Sequence, residues 1–180
     1  MILDVARSCL VVAGLPIEHS EQAIEELQLR GIEDWRIARS VVGIVNQQLL
    51  RSVCPTCRAV YRPRPEELDQ FGVSTLSMSN TVVYTAKKTT QAEQLTKTNI
   101  CSNCGGTGYQ NQIAVHEVMT IAENLQHLIA QGSSTDEIRN AAIQAGMKTG
   151  LNQSLELFMQ GVTTLEEIER AFKRTPLSEF

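Results

Sequence analysis

The sequence lacks an excess of positive charge, a long apolar run and a cationic leader segment. Its 16 lysines and arginines are outnumbered by 20 aspartates and glutamates, so the net charge is −4 and the pI is near 5.4. Because a phosphate backbone is held by clustered cations, nucleic acid is not expected as a partner. The longest apolar run, residues 10–15, is far shorter than the roughly 18 residues that cross a bilayer. The N-terminus also has no signal-type cleavage site, so the sequence predicts a cytoplasmic protein.

The length and the hydrophobic content favour a folded protein. With 180 residues, of which 42% are hydrophobic, the chain is long enough for one ordinary domain or two small ones. This composition excludes a long disordered tail and a fibrous protein.

Four of the five cysteines form two close pairs, Cys54 with Cys57 and Cys101 with Cys104. A Cys-x-x-Cys turn directs two thiolates toward one point, and two such turns supply the four soft ligands that tetrahedral zinc prefers. Glycines after the second pair allow positive backbone angles that turn amide N–H groups toward the sulfurs. We therefore predict a structural zinc site, in which four thiolates leave no position for a reactive water.

Other readings of the cysteines are less favoured. Disulfides are unexpected in a cytosolic chain, and a thioredoxin-like redox site needs only one pair. Iron in the same four-thiolate site stays open as an alternative to zinc. Cys9 stands apart beside the apolar run and is predicted to be a small buried hydrophobic residue.

The N-terminal quarter predicts a strand followed by two helices. Residues 9–15 are expected to form a short buried strand, and Ser20 to cap a helix that stops at Gly31. Apolar residues at helical spacing predict a second helix from about Trp35 to Leu50.

The segment between the cysteine pairs predicts little regular structure. Pro63 and Pro65 interrupt any regular element, residues 66–71 are expected to form one helical turn, residues 74–80 a loop, and residues 81–85 a strand.

After Gly108 the pattern becomes helical. Three start signals have a hydroxyl followed three residues later by glutamate, at Thr120, Ser134 and Thr163. Helices are expected to stop at three glycines, Gly132, Gly146 and Gly161. The predicted result is a compact helical bundle with an apolar core of Leu125, Leu128, Ile129, Ile138, Ala142, Leu155, Phe158, Leu165, Ile168 and Phe172.

Four motifs along the chain together resemble one family. GIVNQQLLR at residues 43–51 precedes the first cysteine pair, GGTGY at 105–109 follows the second, VHE stands at 115–117, and GVTTLEE at 161–167 closes the set. In this order they resemble the C-terminal part of the type II secretion and type IV pilus assembly motor ATPases. The second cysteine motif alone also resembles the zinc repeats of DnaJ-type chaperones, which would need more copies of it.

The sequence departs from that family at positions that handle nucleotide. The family has a nucleotide-sensing histidine where this chain has Pro16, and His19, three residues later, is not expected to replace it. Gln48 stands where the family has an arginine, and residues 111–114 (NQIA) replace a Gly-Arg-x-Gly segment. Glutamine cannot match the charge or the two parallel hydrogen bonds of arginine, so an anion contact is lost at each of these places.

Hydrolysis of ATP in this family needs a Gly-x-x-x-x-Gly-Lys-(Ser/Thr) loop and a magnesium-binding strand, and neither occurs in the 180 residues. The nearest string, GMKT at 146–149, has no preceding strand and is a chance likeness. The resemblance implies that the loop lies upstream of Met1, so ATP and magnesium have no site here and no catalytic or cofactor-binding residue is assigned. We expect Glu117 beside His116 to make a structural or intersubunit salt link, and His127 to be an ordinary partly buried or surface residue.

The predicted fold class is an α/β remnant followed by a tetracysteine zinc module and an α-helical bundle, mainly α overall. The resemblance implies that residues 1–52 are the C-terminal remnant of a RecA-like ATPase core. Residues 53–117 are the predicted tetracysteine zinc-binding module, 118–174 the C-terminal helical bundle and 175–180 a tail.

The departures favour a truncated, catalytically inactive family member that acts as an interaction module in pilus or pseudopilus assembly. Two alternatives stay open: a C-terminal piece of an active ATP-hydrolysing motor, and an unrelated structural zinc-ribbon binding module. The resemblance implies a full-length motor ATPase or another copy of the chain as partner, since the family is hexameric. It also implies an inner-membrane platform protein, through which the chain would be peripheral at the inner membrane.

Overall fold

A computed structural model describes residues 5–6, 8–73 and 82–172. These residues form eight helices and four strands. In chain order they are α1 (Gln22–Leu29), α2 (Asp34–Ser40), β1 (Gly43–Val53), β2 (Ala59–Tyr61), α3 (Pro65–Asp69), β3 (Val83–Thr85), α4 (Gln91–Thr96), β4 (Tyr109–Thr120), α5 (Glu123–Ala130), α6 (Thr135–Gln144), α7 (Gly150–Met159) and α8 (Leu165–Phe172). No helix in these ranges is long and apolar enough to span a membrane.

The chain divides into two compact units, and each long strand contributes one end to each unit. Unit 1 comprises the described part of residues 1–47 together with 116–150, and it contains α1, α2, α5 and α6. Its apolar core is a single cluster of buried side chains: Ile24, Ile37, Ala38, Met119, Ile121, Leu125, Ile129, Ile138, Ala142 and Met147.

Unit 2 comprises the described part of residues 48–115 together with 151–180. Strands β2 and β3 pair antiparallel within it, with Tyr61 opposite Val83. Helices α3 and α8 and all but the first residue of α7 complete a separate core of Leu68, Val83, Leu155, Phe158, Leu165 and Ile168.

The predicted strand at residues 9–15 is wrong. The chain is extended there but belongs to no sheet, since strand pairing in the described part joins only β1 with β4 and β2 with β3. Leu10 and Val12 are 81% and 89% exposed, and Cys9, predicted to be buried, is exposed as well. An apolar run of this kind becomes a strand only where another strand offers backbone partners, and no neighbour does so here.

We expect the amides of residues 10–14 to exchange rapidly with solvent in a monomeric sample, because no described strand pairs with them. Hydrogen exchange read by mass spectrometry measures this, and the buried strand residue Met119 provides a slowly exchanging reference in the same chain. Strong protection of residues 10–13 in a demonstrated monomer would contradict it.

The predicted second helix is confirmed at its start near Trp35, but its end at Leu50 is wrong, because the helix ends at Ser40 and is followed by β1. Along residues 43–50 burial alternates, and Asn46 and Leu50 are the buried positions. Two branched residues, Ile44 and Val45, lie in this stretch and favour a strand. The spacing of apolar residues fits a period of 3.6 as well as a period of two, so the sequence alone did not separate the alternatives.

The predictions for the segment between the cysteine pairs are confirmed where the structure describes it, and the predicted cap at Ser20 is wrong. The helical turn after Pro65 and the strand before Ala86 are confirmed as α3 and β3. The whole of the predicted loop at 74–80, and residue 81, lie outside the described residues. Ser20 does not cap α1: its backbone N–H and its hydroxyl both bond to Glu117.

The C-terminal helices have the predicted stops. Gly132, Gly146 and Gly161 all adopt positive φ angles after α5, α6 and α7. At Gly161 an added Cβ would also lie 2.8 Å from the Tyr84 ring, so glycine is required there by space as well as by φ.

The predicted start signals are confirmed in part. Ser134 caps α6 with a reciprocal bond to Glu137, as predicted. Thr120 instead lies in β4, and the cap of α8 is Thr164, one residue later than predicted.

The predicted C-terminal apolar set is confirmed as core, with Leu128 and Phe172 partly buried against it. A single bundle is not confirmed, because α5 and α6 contribute to the core of unit 1 and α7 and α8 to that of unit 2. A mainly α chain is not confirmed either, since 40% of the described residues are helical and 18% lie in strands.

Candidate metal centre

The two cysteine pairs meet in unit 2. Cys54 follows the last residue of β1, Cys57 lies in the turn before β2, and Cys101 and Cys104 lie in the turns before β4. The Sγ atoms of Cys54 and Cys101 are 3.9 Å apart, those of Cys57 and Cys104 are 3.7 Å apart, and all four lie within 4.8 Å of one another. The structure thus brings together all four of the predicted metal ligands.

Hydrogen-bonded turns at each cysteine pair direct the thiols toward the cluster. The backbone N–H of Arg58 donates to the carbonyl of Cys54 at 3.0 Å, and the N–H of Gly105 donates to the carbonyl of Cys101 at 2.8 Å. Gly108, at φ +79°, donates its N–H to the Sγ of Cys104 at 3.3 Å. An added Cβ on Gly108 would lie 2.9 Å from the Cβ of Ala86, so only glycine fits this turn. The predicted role of the glycines after the second pair is confirmed at this residue.

The cluster has the dimensions of a four-thiolate site. A zinc–sulfur bond of about 2.3 Å in a tetrahedron places neighbouring sulfurs about 3.8 Å apart. The Cys57–Cys104 and Cys54–Cys101 sulfur separations, 3.7 and 3.9 Å, bracket that value. In the part of the chain that the structure describes, no other cluster of three or more cysteine, histidine or acidic side chains is close enough to hold an ion. The four cysteines can therefore hold a metal ion.

Hydrogen bonds around the cluster favour the thiolate form of Cys54. Burial raises the pKa of the Cys54 thiol, but hydrogen bonds from the backbone N–H groups of Thr56 and Cys57 and from the Asn103 side chain lower it to about 6. Burial and hydrogen bonding to the neighbouring Cys104 thiol raise the pKa of Cys57 to about 12. Neighbouring thiols with opposed pKa shifts share their protons, and a bound cation replaces those protons and favours the thiolate in all four.

Asn103 contacts the cluster from outside, and no pattern in the sequence indicated this role. Its side-chain amide donates to the Sγ of Cys54 at 3.6 Å, to the hydroxyl of Thr56 at 3.0 Å and to the Gln110 side chain at 2.7 Å. Such an amide orients a thiolate ligand and links the two cysteine turns. Asn103 lies between the cysteines of the second pair, and this position could have suggested a role near the metal centre. The position in the sequence does not indicate which way the side chain points.

A buried ion-pair network joins two of the family-like motifs of unit 2. Glu167 is fully buried, and its carboxylate accepts hydrogen bonds from the backbone N–H and the guanidinium of Arg51 and from the guanidinium of Arg170. The Arg51 guanidinium also lies over the Tyr109 ring, 4.1 Å from its centroid. The hydroxyl of Thr163 donates to the carbonyl of Arg51 at 3.0 Å. The GVTTLEE motif thus holds the end of β1 from which the first cysteine follows.

Glu117 and His116, which stand side by side in β4, make hydrogen bonds within unit 1. Glu117 is buried in unit 1 and accepts hydrogen bonds from the backbone N–H groups of Ser20 at 2.9 Å and Gly150 at 3.3 Å. A ring nitrogen of His116 bonds to the Gln47 side chain at 3.0 Å. His127 is exposed on α5, as its surface interpretation predicts.

The positions that depart from the family pattern lie in three segments of the chain: the N-terminal segment, β1 and β4. Pro16 is exposed in the extended N-terminal segment, and Gln48 is half-buried in β1. Asn111 has φ +64° at the position of a family glycine, and asparagine is one of the few other residues that tolerate this conformation. The GMKT string joins α6 to α7 with no strand before it, so its phosphate-loop likeness is confirmed as chance.

Comparison with known proteins gives one consistent family. Residues 9–170 match the family model described as type II/IV secretion system protein. The chain is 35% identical to the type IV pilus assembly ATPase PilB of Thermus thermophilus over 159 residues. This aligned region covers 88% of this chain and 16% of that protein. It is 28% identical over 165 residues to the type II secretion system protein E of Dickeya dadantii, covering 91% of this chain and 30% of the relative.

A third relative is the type II secretion system ATPase E of Vibrio cholerae, 26% identical over 166 residues, with 92% of this chain and 30% of that protein covered. The chain thus spans less than a third of the length of these three relatives. Because the family model matches nearly the whole of it, the chain belongs to the type II/IV secretion system protein family.

Proposed function

We propose that this chain is an interaction module of pilus or pseudopilus assembly that carries a structural metal centre and does not itself hydrolyse ATP. The observation that supports it is that some of the family motifs are present in this chain and the phosphate-binding motif is not. The four cysteines and the Arg51–Glu167 pair are present and brought together in unit 2, whereas no phosphate-binding sequence occurs in the 180 residues. The chain therefore has no phosphate loop with which to hold a nucleotide in line for transfer.

Zinc is the metal that best suits the centre. Four cysteine thiolates form a closed tetrahedral set of soft ligands, and a closed set gives zinc a structural role. Cys54, Cys57, Cys101 and Cys104 would hold it, and Asn103 would orient the Cys54 thiolate. The bound metal would fix the two cysteine turns to the end of β1 and the start of β4.

Three partners are proposed: a full-length motor ATPase of the same family, a second copy of the chain, and the inner-membrane platform protein of the secretion or pilus machine. The relatives named above are described as an assembly ATPase, a secretion ATPase and a secretion system protein, which supports a place in such a machine. The replacements at Pro16, Gln48 and residues 111–114 favour docking without nucleotide turnover, because the anion-binding groups of the family are lost there.

A second candidate function is that of one part of an active motor. The chain covers only 16–30% of the three relatives described above, as one part of a longer motor would. The family match favours both of these functions over an unrelated zinc-ribbon module or a DnaJ-type repeat.

The purified chain should show no magnesium-dependent ATP hydrolysis above a mock purification. A coupled assay measures the rate, with a full-length family motor as the positive control. The matched variant is Lys148→Ala, in the chance GMKT string, which we expect to behave as the unmodified chain does. Turnover that survives repurification and is abolished by Lys148→Ala would overturn the proposal of inactivity.

A binding measurement separates the two candidate functions. Tagged chain, loaded with zinc, is mixed with a purified full-length motor of the family, and complex formation and motor ATPase rate are both recorded. Binding with no hydrolysis by the chain supports the interaction module. Hydrolysis that appears only when the chain is combined with a separate polypeptide carrying the phosphate loop supports the divided motor.

A further inference from the structure

The four cysteines of the metal centre differ in accessibility. Cys54 is completely buried, and its Sγ accepts a hydrogen bond from Asn103. Cys57, Cys101 and Cys104 are each partly exposed. The centre is therefore closed on the side of Cys54 and open to small solutes on the side of the other three.

A cavity of about 350 Å³ lies on the open side. Its lining includes Cys57 and Cys101 together with Thr56, Lys87 and Ser102. A water molecule takes up about 30 Å³ in the liquid, so a small polar solute such as hydrogen peroxide fits beside the sulfurs. Lys88 lines the cavity as well, and ammonium and hydroxyl groups are the kinds that donate hydrogen bonds to the negative charge that develops when an oxygen–oxygen bond breaks.

One pair of thiols is best placed to become a disulfide. The Sγ atoms of Cys57 and Cys104 are 3.7 Å apart, closer than the 3.9 Å that separates those of Cys54 and Cys101. A disulfide bond is about 2.05 Å long, so these sulfurs must approach by about 1.7 Å. Both residues are partly exposed, whereas any pairing of Cys54 involves the buried thiol.

We propose, resting on the proposed zinc-bound state, that the metal centre is a peroxide-responsive site in which Cys57 and Cys104 are the residues oxidised. The Cys57 thiolate attacks one oxygen of hydrogen peroxide, forming a sulfur–oxygen bond and releasing hydroxide. The Cys104 thiolate then attacks that sulfur, forming the disulfide and releasing a second hydroxide. The two thiolates lose two electrons, peroxide gains them, and two solvent protons convert the hydroxides to water. Two thiolates remain, which is half of the ligand set that holds a structural zinc ion, so the metal is released.

The test treats the zinc-loaded 180-residue chain with hydrogen peroxide and records metal release with a chromophoric chelator. We expect release at least about tenfold faster than in peroxide-free buffer, reversed by dithiothreitol and added zinc. Peptide mapping of early samples should show a Cys57–Cys104 disulfide before any bond to Cys54. The matched control is Cys9→Ser, which removes the one cysteine outside the cluster and should leave the release rate unchanged.

The exposed Cys9 also calibrates the dose in the unmodified chain. Metal retained at a peroxide dose that fully oxidises Cys9 would overturn the proposal while leaving the zinc site and the proposed function intact. A first disulfide that includes Cys54 would overturn the assignment of the open side. A chain that never holds metal would overturn the zinc proposal and this one together.

Discussion

Replacing Cys57 or Cys104 with serine is expected to abolish metal binding and to unfold the segment around the two cysteine turns. Metal binding to a structural four-ligand site is worth on the order of 10 kcal/mol or more in small domains, because the binding free energy is also folding free energy. Leu68 and Val83 of the segment between β1 and β4 belong to the core of unit 2, but residues 86–100, which lead to the second cysteine pair, include no buried residue. None of the residues of α4 is buried, and β2 and β3 are three-residue strands. Elemental analysis and far-UV circular dichroism of the metal-loaded and chelator-treated chain measure the effect.

The control for this prediction is Cys9→Ser, which removes a cysteine outside the cluster and should keep one equivalent of metal. Unit 1 has its own apolar core, so amide protection at Leu125 and Ile138 should survive metal removal even when unit 2 loses it. Metal contents below about half an equivalent in the unmodified chain, purified under reducing conditions, would contradict the zinc proposal. So would a Cys57→Ser chain that holds a full equivalent.

The cysteine cluster was predictable from the sequence because its determinants are local. A Cys-x-x-Cys spacing fixes two ligands within one turn, and the glycine at 108 matches the positive φ that the second turn requires. The helix ends at Gly132, Gly146 and Gly161 were predictable for the same reason, since one residue sets the backbone angle.

Features set by distant partners were not predictable from the sequence. Residues 41–50 fit both a helical and a strand pattern, and pairing with β4 decides for the strand. Ser20 has the residue type of a helix cap, yet it bonds to Glu117, 97 positions away. The run at 10–15 has strand composition but no strand beside it in the described residues. The Arg51–Glu167 pair joins positions 116 apart, and neither residue has a local pattern that indicates the other.

Glu167→Gln is expected to cost roughly 2–3 kcal/mol of unfolding free energy at pH 7, because it removes the buried carboxylate with which two partly exposed arginines pair. Burial raises the pKa of Glu167, but hydrogen bonds from Arg170 and Arg51 outweigh it and lower the pKa to about 2. A lowered pKa means that the folded state favours the ionised form, so the stabilisation is complete above the unfolded value of 4.5 and is lost as pH falls toward 2. The shift corresponds to about 3 kcal/mol of stability that disappears across this interval. Urea denaturation at pH 7, 5 and 3 measures it.

The matched control is the neighbouring residue. Glu166 is 56% exposed and pairs with Lys88 at the surface, so Glu166→Gln should change the unfolding free energy by less than about 1 kcal/mol. Acid also protonates cysteine thiolates and releases bound metal, but this loss is common to both variants. The difference between Glu167→Gln and Glu166→Gln therefore isolates the buried carboxylate, and it should shrink as pH falls from 5 to 3. A difference that stays constant over this range would show that Glu167 stabilises unit 2 by packing, and not as the charged group that joins β1 to α8.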